Sequence, residues 1–201
     1  MTGTVGSHDL DPGFADPVFG SQSAFRGVLE AMSRPGRVVT LSCLPPAPEP
    51  LDPATAALAL TLLDFDTPLW LDQAATSEAV TGYLKFHCGC PVTNEPGAAR
   101  FAIIADAAKL PPLDAFDAGN DLYPDQSATL ILQVKSVTGG PRLRLTGPGI
   151  KRDARASVDG LPAGFLDQWA RNRVLYPLGV DMILTCGEAV LGLPRSTELG
   201  G

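Results

Sequence analysis

Histidine is scarce in this sequence, and His87 is the one histidine that lies beyond the N-terminal stretch. A histidine can bind a phosphate or carry a proton near neutral pH, so it is a candidate for acid–base or ligand-binding chemistry. His87 also follows a segment that we expect to be helical, where a protonated imidazole would interact favourably with the negative helix terminus. That structural role is sufficient by itself, so both interpretations stay open.

Asp181 is a second candidate because it lies inside the apolar segment 180–184, which we expect to be a buried strand. A buried carboxylate needs a partner, since an unpaired one is costly or takes up a proton. By charge, the available partners are Arg195 and His87. A structural ion pair is the expectation, and a catalytic carboxylate is the alternative.

Arg26 and Arg34 lie in a segment with helical periodicity, where their spacing turns them by about 80° relative to each other. Two arginines on one side of a helix can bind a phosphate or a carboxylate of a partner, and simple solvation is the competing explanation. No residue is assigned as catalytic. Our candidate ligand-binding group consists of Arg26, His87, Asp181 and Arg195.

The four cysteines of the sequence are Cys43, Cys88, Cys90 and Cys186. Their spacing matches neither a disulfide framework nor the two spaced pairs of a zinc site. Cys88 and Cys90 next to His87 resemble only half of such a site. We therefore expect reduced cysteines and no bound metal.

A glycine-rich turn at 147–149 invites comparison with a phosphate-binding loop, but no Lys-Ser or Lys-Thr follows it and Pro148 lacks an amide donor. This excludes a P-loop NTPase. The next residues, Lys151, Arg152 and Arg155, form the most basic local stretch, which Asp153 partly offsets. Such a stretch can contact an acidic subunit or nucleotide phosphates, and a solvated loop is the default.

The overall charge limits the classes of partner. The 201 residues carry a net charge of -7, with a sequence pI of about 4.7, which disfavours nucleic acid and anionic membrane surfaces. The start of the chain lacks the apolar core of a signal peptide, so we expect a cytoplasmic protein. Only 18% of the residues are charged, which favours oligomerisation, although many small residues inflate the apolar content.

Helical and strand-like patterns alternate along the chain. Apolar residues at the spacing of one helix face predict an amphipathic helix around 24–32, and an alanine- and leucine-rich segment predicts a buried helix at 54–63. Strands are predicted at 128–137 and 180–186, with a glycine turn at 139–140 pairing 142–146 back onto the first. The mixture predicts an α/β fold with a central mixed sheet flanked by helices. The predicted boundaries are a flexible arm (1–15), a single domain (16–197) and a C-terminal tail (198–201).

Five blocks of residues, in order along most of the chain, resemble the PhnH family of the carbon–phosphorus lyase core complex. They are 25–36, which includes AMSRPG; 62–71, LLDFDTPLWL; 85–91, KFHCGCP; 128–134 with 143–150, ATLILQV and LRLTGPGI; and 177–187 with 193–197, PLGVDMILTCG and LPRST. No single block is diagnostic, but the five in order are specific. Lys85, Cys88 and Ser196 are small departures from the pattern, and Cys88 is therefore a poor choice for an essential group.

The resemblance implies a fold similar to that of pyridoxal-phosphate-dependent transferases, without that cofactor. It also implies a homodimer that works in a complex with sister subunits G, I and J. The complex is associated with forming alpha-D-ribose 1-methylphosphonate 5-triphosphate from ATP and methylphosphonate. We expect a structural, interface-forming subunit with no cofactor and no turnover by the isolated chain. The alternative is a phosphate- or nucleotide-binding subunit that uses the candidate ligand-binding group.

Overall fold

The structure is a computed structural model that describes residues 13–201. Within this range the α-helices are α1 (Pro17–Ser33), α2 (Pro53–Leu62), α3 (Glu78–His87) and α4 (Phe165–Val174). The strands are β1 (Val38–Thr40), β2 (Leu69–Leu71), β3 (Val92–Thr93), β4 (Phe101–Ile104), β5 (Thr129–Gln133), β6 (Arg142–Thr146), β7 (Ala154–Ser157), β8 (Asp181–Cys186), β9 (Ala189–Leu193) and β10 (Glu198–Gly200). Short 3-10 helices lie at Pro96–Ala98, Ala107–Lys109, Leu113–Ala115 and Pro124–Gln126.

Seven strands form the main sheet in the order β1-β9-β8-β5-β4-β2-β3. The strands β3, β2, β4, β5 and β8 run parallel, whereas β9 is antiparallel to both of its neighbours. The predicted α/β fold with a central mixed sheet is therefore confirmed. The segment 180–186, predicted as a buried strand, becomes β8 near the middle of this sheet.

Apolar layers cover both faces of the main sheet, which explains why its central strands are apolar along their whole length. One layer contains the buried faces of α1, α2 and α3. The other contains α4, the segment 107–116 and the inner face of a second sheet. That second sheet has three antiparallel strands in the order β10-β6-β7.

Helix α1 begins at a strong N-terminal signal and buries a narrow face. The Asp16 side chain accepts hydrogen bonds from the backbone N–H groups of Val18 and Phe19, at 3.1 and 3.0 Å, and caps the helix. Its small residues face the core, while Phe25 and Leu29 are 50% and 57% exposed. The spacing that predicted this helix groups Phe25 and Leu29 with Val28 and Met32 on one apolar face. The expectation that this whole face is buried is wrong for Phe25 and Leu29, because close packing on the sheet favours the side with alanine and glycine.

The pairing of β6 also differs from the sequence prediction. The segment 142–146 pairs with β7 and β10 and not with the strand at 128–137, because the chain leaves the main sheet after β5 and builds the second sheet. Residues 198–200 of the predicted tail form β10, the edge strand beside β6. Of the predicted N-terminal arm, 1–12 lie outside the described residues, and Phe14 is buried in the first core layer.

None of the helices within residues 13–201 is both long enough and apolar enough to cross a membrane.

Close contact between α1 and β9 leads to a stability prediction. A Cβ atom added at Gly192 would lie 2.6 Å from the backbone oxygen of Ala31, so we expect Gly192→Ala to lower the free energy of unfolding by about 1–3 kcal/mol through overpacking. Gly200→Ala is the matched control, because Gly200 also lies in a strand and has no neighbour within 4 Å of an added Cβ. Urea unfolding measures both, and equal stability of the two variants would contradict the close contact.

Candidate functional site

Asp181 and Arg195 form an ion pair, the partnership that charge alone suggested. The Arg195 Nε atom donates to both carboxylate oxygens of Asp181, at 3.1 and 3.2 Å, and Nη2 donates to Oδ2. The backbone N–H of Arg195 adds a further hydrogen bond of 2.7 Å to Asp181 Oδ1. The side chains of Arg195 and Asp181 are only 14% and 18% exposed, respectively, so this bidentate pair is well shielded from water.

Hairpin geometry brings these two residues together across 14 positions of sequence. Met182 in β8 lies opposite Leu193 in β9, so the chain that leaves β9 arrives beside the first residue of β8. Asp181 is also in register with Thr129, the first residue of β5. The pair therefore lies at the edge where the parallel strands begin, opposite to the edge where ligands of such sheets usually bind.

The remaining nitrogen of the Arg195 guanidinium, Nη1, forms hydrogen bonds with the backbone of two neighbouring turns. This atom donates to the carbonyl oxygen of Pro124 at 2.6 Å and to that of Pro177 at 3.4 Å. Each of these turns carries exposed apolar side chains, among them Tyr123 and Tyr176. Arg195 thus links the β8–β9 hairpin to two surface turns. With Asp181 neutralising its charge, this arrangement is suited to positioning the turns.

His87 is the last residue of α3 and lies against aromatic rings. Its ring centroid is 4.6 Å from that of Tyr83 and 4.9 Å from that of Phe86. Helix α3 connects β2 to β3 at one edge of the main sheet, and β8 lies three strands from β2, a separation of about 14 Å at usual strand spacing. His87 is therefore placed as the helix-end interpretation requires, and apart from the ion pair.

Arg26 lies on the exposed side of α1. It lines a surface depression with Leu29, Glu30 and Arg34. Glu30 in turn pairs with Arg37 at 2.9 Å and with Arg34 at 3.7 Å. Of the candidate ligand-binding group, the structure brings together Asp181 and Arg195 and places Arg26 and His87 on other elements. Joint ligand binding by all four stays a prediction.

A cavity that the sequence did not indicate opens at the carboxyl ends of β4 and β5. It has a volume of about 550 Å³, and its polar lining includes Asp52, Asp106, Gln133, Lys135 and Asp159. The sequence feature that could have indicated this cavity is the presence of polar residues directly after two buried strands. The carboxyl ends of parallel strands face the usual binding crevice of such a sheet. Three carboxylates and a single lysine make this lining unfavourable for a phosphate group.

The same lining can be tested for pyridoxal phosphate, the cofactor of the transferases whose fold the family resemblance implies. Lys135 lies two positions beyond the end of β5 and lines the cavity. It is exposed, whereas a lysine that forms a Schiff base is usually activated by desolvation or by a neighbouring cation. The acidic surroundings would also repel the phosphate of the cofactor, so these residues do not fit it.

Asp72 closes the crevice between β2 and β4. It is only 2% exposed, and its carboxylate accepts hydrogen bonds from the backbone N–H groups of Ala75, at 2.8 Å, and Asp106, at 2.9 Å. The connection after β2 runs to one face of the sheet, and the connection after β4 runs to the other. In α/β sheets a ligand crevice is usually found at the point where neighbouring connections diverge in this way. Here a side chain of the protein occupies that position.

The surroundings of the cysteines shift their pKa values in different directions. The Cys88 thiol donates to the carbonyl oxygen of Ala59 at 3.6 Å, and its interaction with the neighbouring Cys90 thiol together with burial raises the pKa of Cys88 far above its ordinary value. The same interaction between the two thiols lowers the pKa of Cys90, which is 5% exposed. Burial and the nearby Asp52 carboxylate raise the pKa of Cys186. In the described part of the chain, no three cysteine, histidine or carboxylate side chains cluster in a way that could hold a metal ion.

The fold and the site define an α/β domain with a well-shielded ion pair, an acidic cavity and exposed apolar side chains on its surface turns. The comparison with known families is specific. A family model described as "Bacterial phosphonate metabolism protein (PhnH)" matches residues 12–200. The chain belongs to this family, as the resemblance of its five sequence blocks implied.

Two curated relatives extend the comparison. One, from Rhizobium meliloti (strain 1021), is named "Alpha-D-ribose 1-methylphosphonate 5-triphosphate synthase subunit PhnH"; it is 43% identical over 196 residues, which cover 98% of both chains. The other, from Stutzerimonas stutzeri, is named "Putative C-P lyase subunit protein HtxG"; it is 36% identical over 182 residues, covering 89% of this chain and 85% of the relative.

Breaking the ion pair should destabilise the fold. Arg195→Met keeps most of the side-chain stem but leaves the Asp181 carboxylate without its partner, so we expect a loss of about 3 kcal/mol in the free energy of unfolding. Arg37→Met is the control, because its pair with Glu30 is solvent-exposed and should contribute less than about 1 kcal/mol. Thermal or urea unfolding gives both values. If adding Asp181→Asn to Arg195→Met recovered no stability, the loss would come from packing or from the hydrogen bonds of Arg195 to Pro124 and Pro177, and not from the unpaired charge.

The cysteines should differ in the rate at which an alkylating reagent modifies them in the native protein. Cys43 is exposed, so we expect N-ethylmaleimide to modify it at least about tenfold faster than Cys88 or Cys186, whose raised pKa values keep them as unreactive thiols. Peptide mass spectrometry over a time course at neutral pH measures the rates. In denaturant the three should react alike, and a fast Cys88 in the native protein would contradict its burial and raised pKa.

Proposed function

We propose that this chain is a subunit of the bacterial assembly that makes alpha-D-ribose 1-methylphosphonate 5-triphosphate during phosphonate breakdown. The observation that carries the proposal is the 43% identity to the Rhizobium meliloti subunit over 98% of both chains. A relationship of this extent covers the whole domain, including the ion pair and both sheets. The second relative, named as a subunit of a carbon–phosphorus lyase, supports the same role.

An interface-forming role is supported by the distribution of exposed apolar side chains. Within residues 13–201 they lie mainly in three groups: on α1 (Val18, Phe19, Phe25 and Leu29), near the end of α3 (Phe65, Phe86 and Val92), and on the turns that Arg195 holds (Leu122, Tyr123, Val174, Leu175 and Tyr176). Clustered apolar side chains on a surface are typical of sites that other protein surfaces cover. Several such groups suit a subunit with several neighbours.

The finer parts of the proposal are a homodimer when the chain is alone, sister subunits G, I and J as partners, and a cytoplasmic location. Relatedness of the fold to pyridoxal-phosphate-dependent transferases is supported by a mainly parallel sheet with helices on both faces. An interface role also agrees with the neutralised Arg195 and the acidic cavity. We expect no turnover of ATP and methylphosphonate by the isolated chain.

Co-purification tests the subunit assignment. The tagged chain is co-expressed with subunits G, I and J from the same organism, and the mass of the eluted particle is measured by light scattering. We expect a stable multi-subunit particle, because the exposed apolar groups are covered only in the assembly. The isolated chain is measured in parallel and should elute with the mass of a dimer.

The control for this experiment omits the tagged chain and asks whether the other subunits still assemble. Elution of the tagged chain alone, while subunits G, I and J form their own particle, would contradict the subunit assignment. Turnover of ATP and methylphosphonate by the isolated chain would contradict the interface-forming role and favour a catalytic one.

A further inference from the structure

The outer face of the second sheet is unusually basic for this acidic chain. The stretch 142–155 contains five basic residues and one acidic residue, although the whole chain has a net charge of -7. The side chains of β6 alternate strictly, with Leu143 and Leu145 buried in the second core layer and Arg142 and Arg144 exposed. The arginines are therefore presented together on one solvent-facing surface.

Strand pairing concentrates the charge further. Arg144 lies directly opposite Arg155 in the antiparallel pair of β6 and β7, so both side chains project from the same face. Side chains directly opposite each other in such a pair have Cβ atoms about 5 Å apart, and like charges there are destabilising. Arg142 lies one alternation further along β6, on the same face. We call Arg142, Arg144 and Arg155 the basic sheet face.

The acidic neighbours neutralise this face only in part. Asp153 lies 3.8 Å from Arg144, whose side chain is nevertheless 67% exposed. Glu198 on β10 accepts a hydrogen bond from Thr146 and lies 3.9 Å from Arg173. Within the described residues, no acidic side chain lies within ion-pair distance of Arg142 or Arg155. Lys151 and Arg152, both exposed, add positive charge in the loop between the strands.

We propose that the basic sheet face docks onto an acidic surface of a sister subunit, an inference that rests on the subunit function proposed above. An opposing row of Asp and Glu carboxylates would relieve the repulsion between Arg144 and Arg155, and guanidinium groups bind carboxylates in bidentate fashion. Complementary charge of this kind gives an interface its specificity and accelerates association.

A protein surface fits this face better than a small anion does. Small-molecule sites are concave and bury most of the ligand, whereas these arginines stand on the exposed side of a three-stranded sheet. The cavity beside this sheet is lined by Pro141, Leu143 and Val158 among others, and not by the arginines of the face. An exposed, charged sheet face is therefore better suited to a protein surface than to a small anion.

Charge reversal tests the proposal in the co-expressed assembly. R144E/R155E should reduce recovery of the sister subunits on the tagged chain at least about tenfold, and raising the salt from about 0.1 M to about 0.5 M should weaken the wild-type particle. K109E/K135E is the matched control, because both lysines are exposed, lie outside the basic sheet face and the three apolar groups, and give the same change in net charge. That control should assemble like the wild type.

A neutral variant separates docking from folding. R144Q/R155Q removes the repulsion between the two arginines, so the isolated variant should be at least as stable as the wild type in urea, while its recovery of sister subunits still falls. Loss of both stability and assembly in this variant would overturn the proposal, since the arginines would then serve the fold.

The remaining outcomes are distinct. If the wild type assembles and R144E/R155E assembles equally well, this proposal is overturned and the subunit function stands. If the wild type fails to assemble, the proposed function fails and this inference falls with it. Saturable binding of inorganic triphosphate to the isolated wild type, abolished in R144E/R155E, would reassign the face to a small anion.

Discussion

Strands β5 and β8 lie side by side in the main sheet, and their side chains between the end residues are buried. A strand that is apolar on both faces must be covered twice, and this requirement organises the whole molecule. Helices α1, α2 and α3 cover one face, while α4 and the second sheet cover the other. The second sheet is thus a covering layer whose inner side is apolar and whose outer side is free for another role.

The ion pair of Asp181 and Arg195 shows how a charge can be accommodated beside this apolar centre. It lies at the first residue of β8, where the strand leaves the core, and its remaining donors bind the carbonyl groups of two turns. The charge of Arg195 is therefore used within the fold. The apolar side chains on those turns, including Tyr123 and Tyr176, gain fixed positions at the surface.

The surface chemistry agrees with the interface-forming role proposed above. The crevice at the carboxyl ends of the strands is closed by Asp72 at one point and lined by carboxylates at another. By contrast, the apolar groups and the basic sheet face are exposed to solvent. Features of this kind suit contacts with other proteins.

Local patterns in the sequence determined the α/β class and the buried strand that became β8, because the spacing of apolar residues can be read without knowing any contact. Charge limited the partner of Asp181 to Arg195 or His87, and the tertiary structure selected Arg195. Only the tertiary structure decided that Phe25 and Leu29 face outwards and that β6 pairs with β7 and β10. It also decided that His87 lies apart from the ion pair, on the helix that leads to the far edge of the sheet. Side-chain direction and strand partnership depend on residues distant in sequence, which compete for the same face of the sheet.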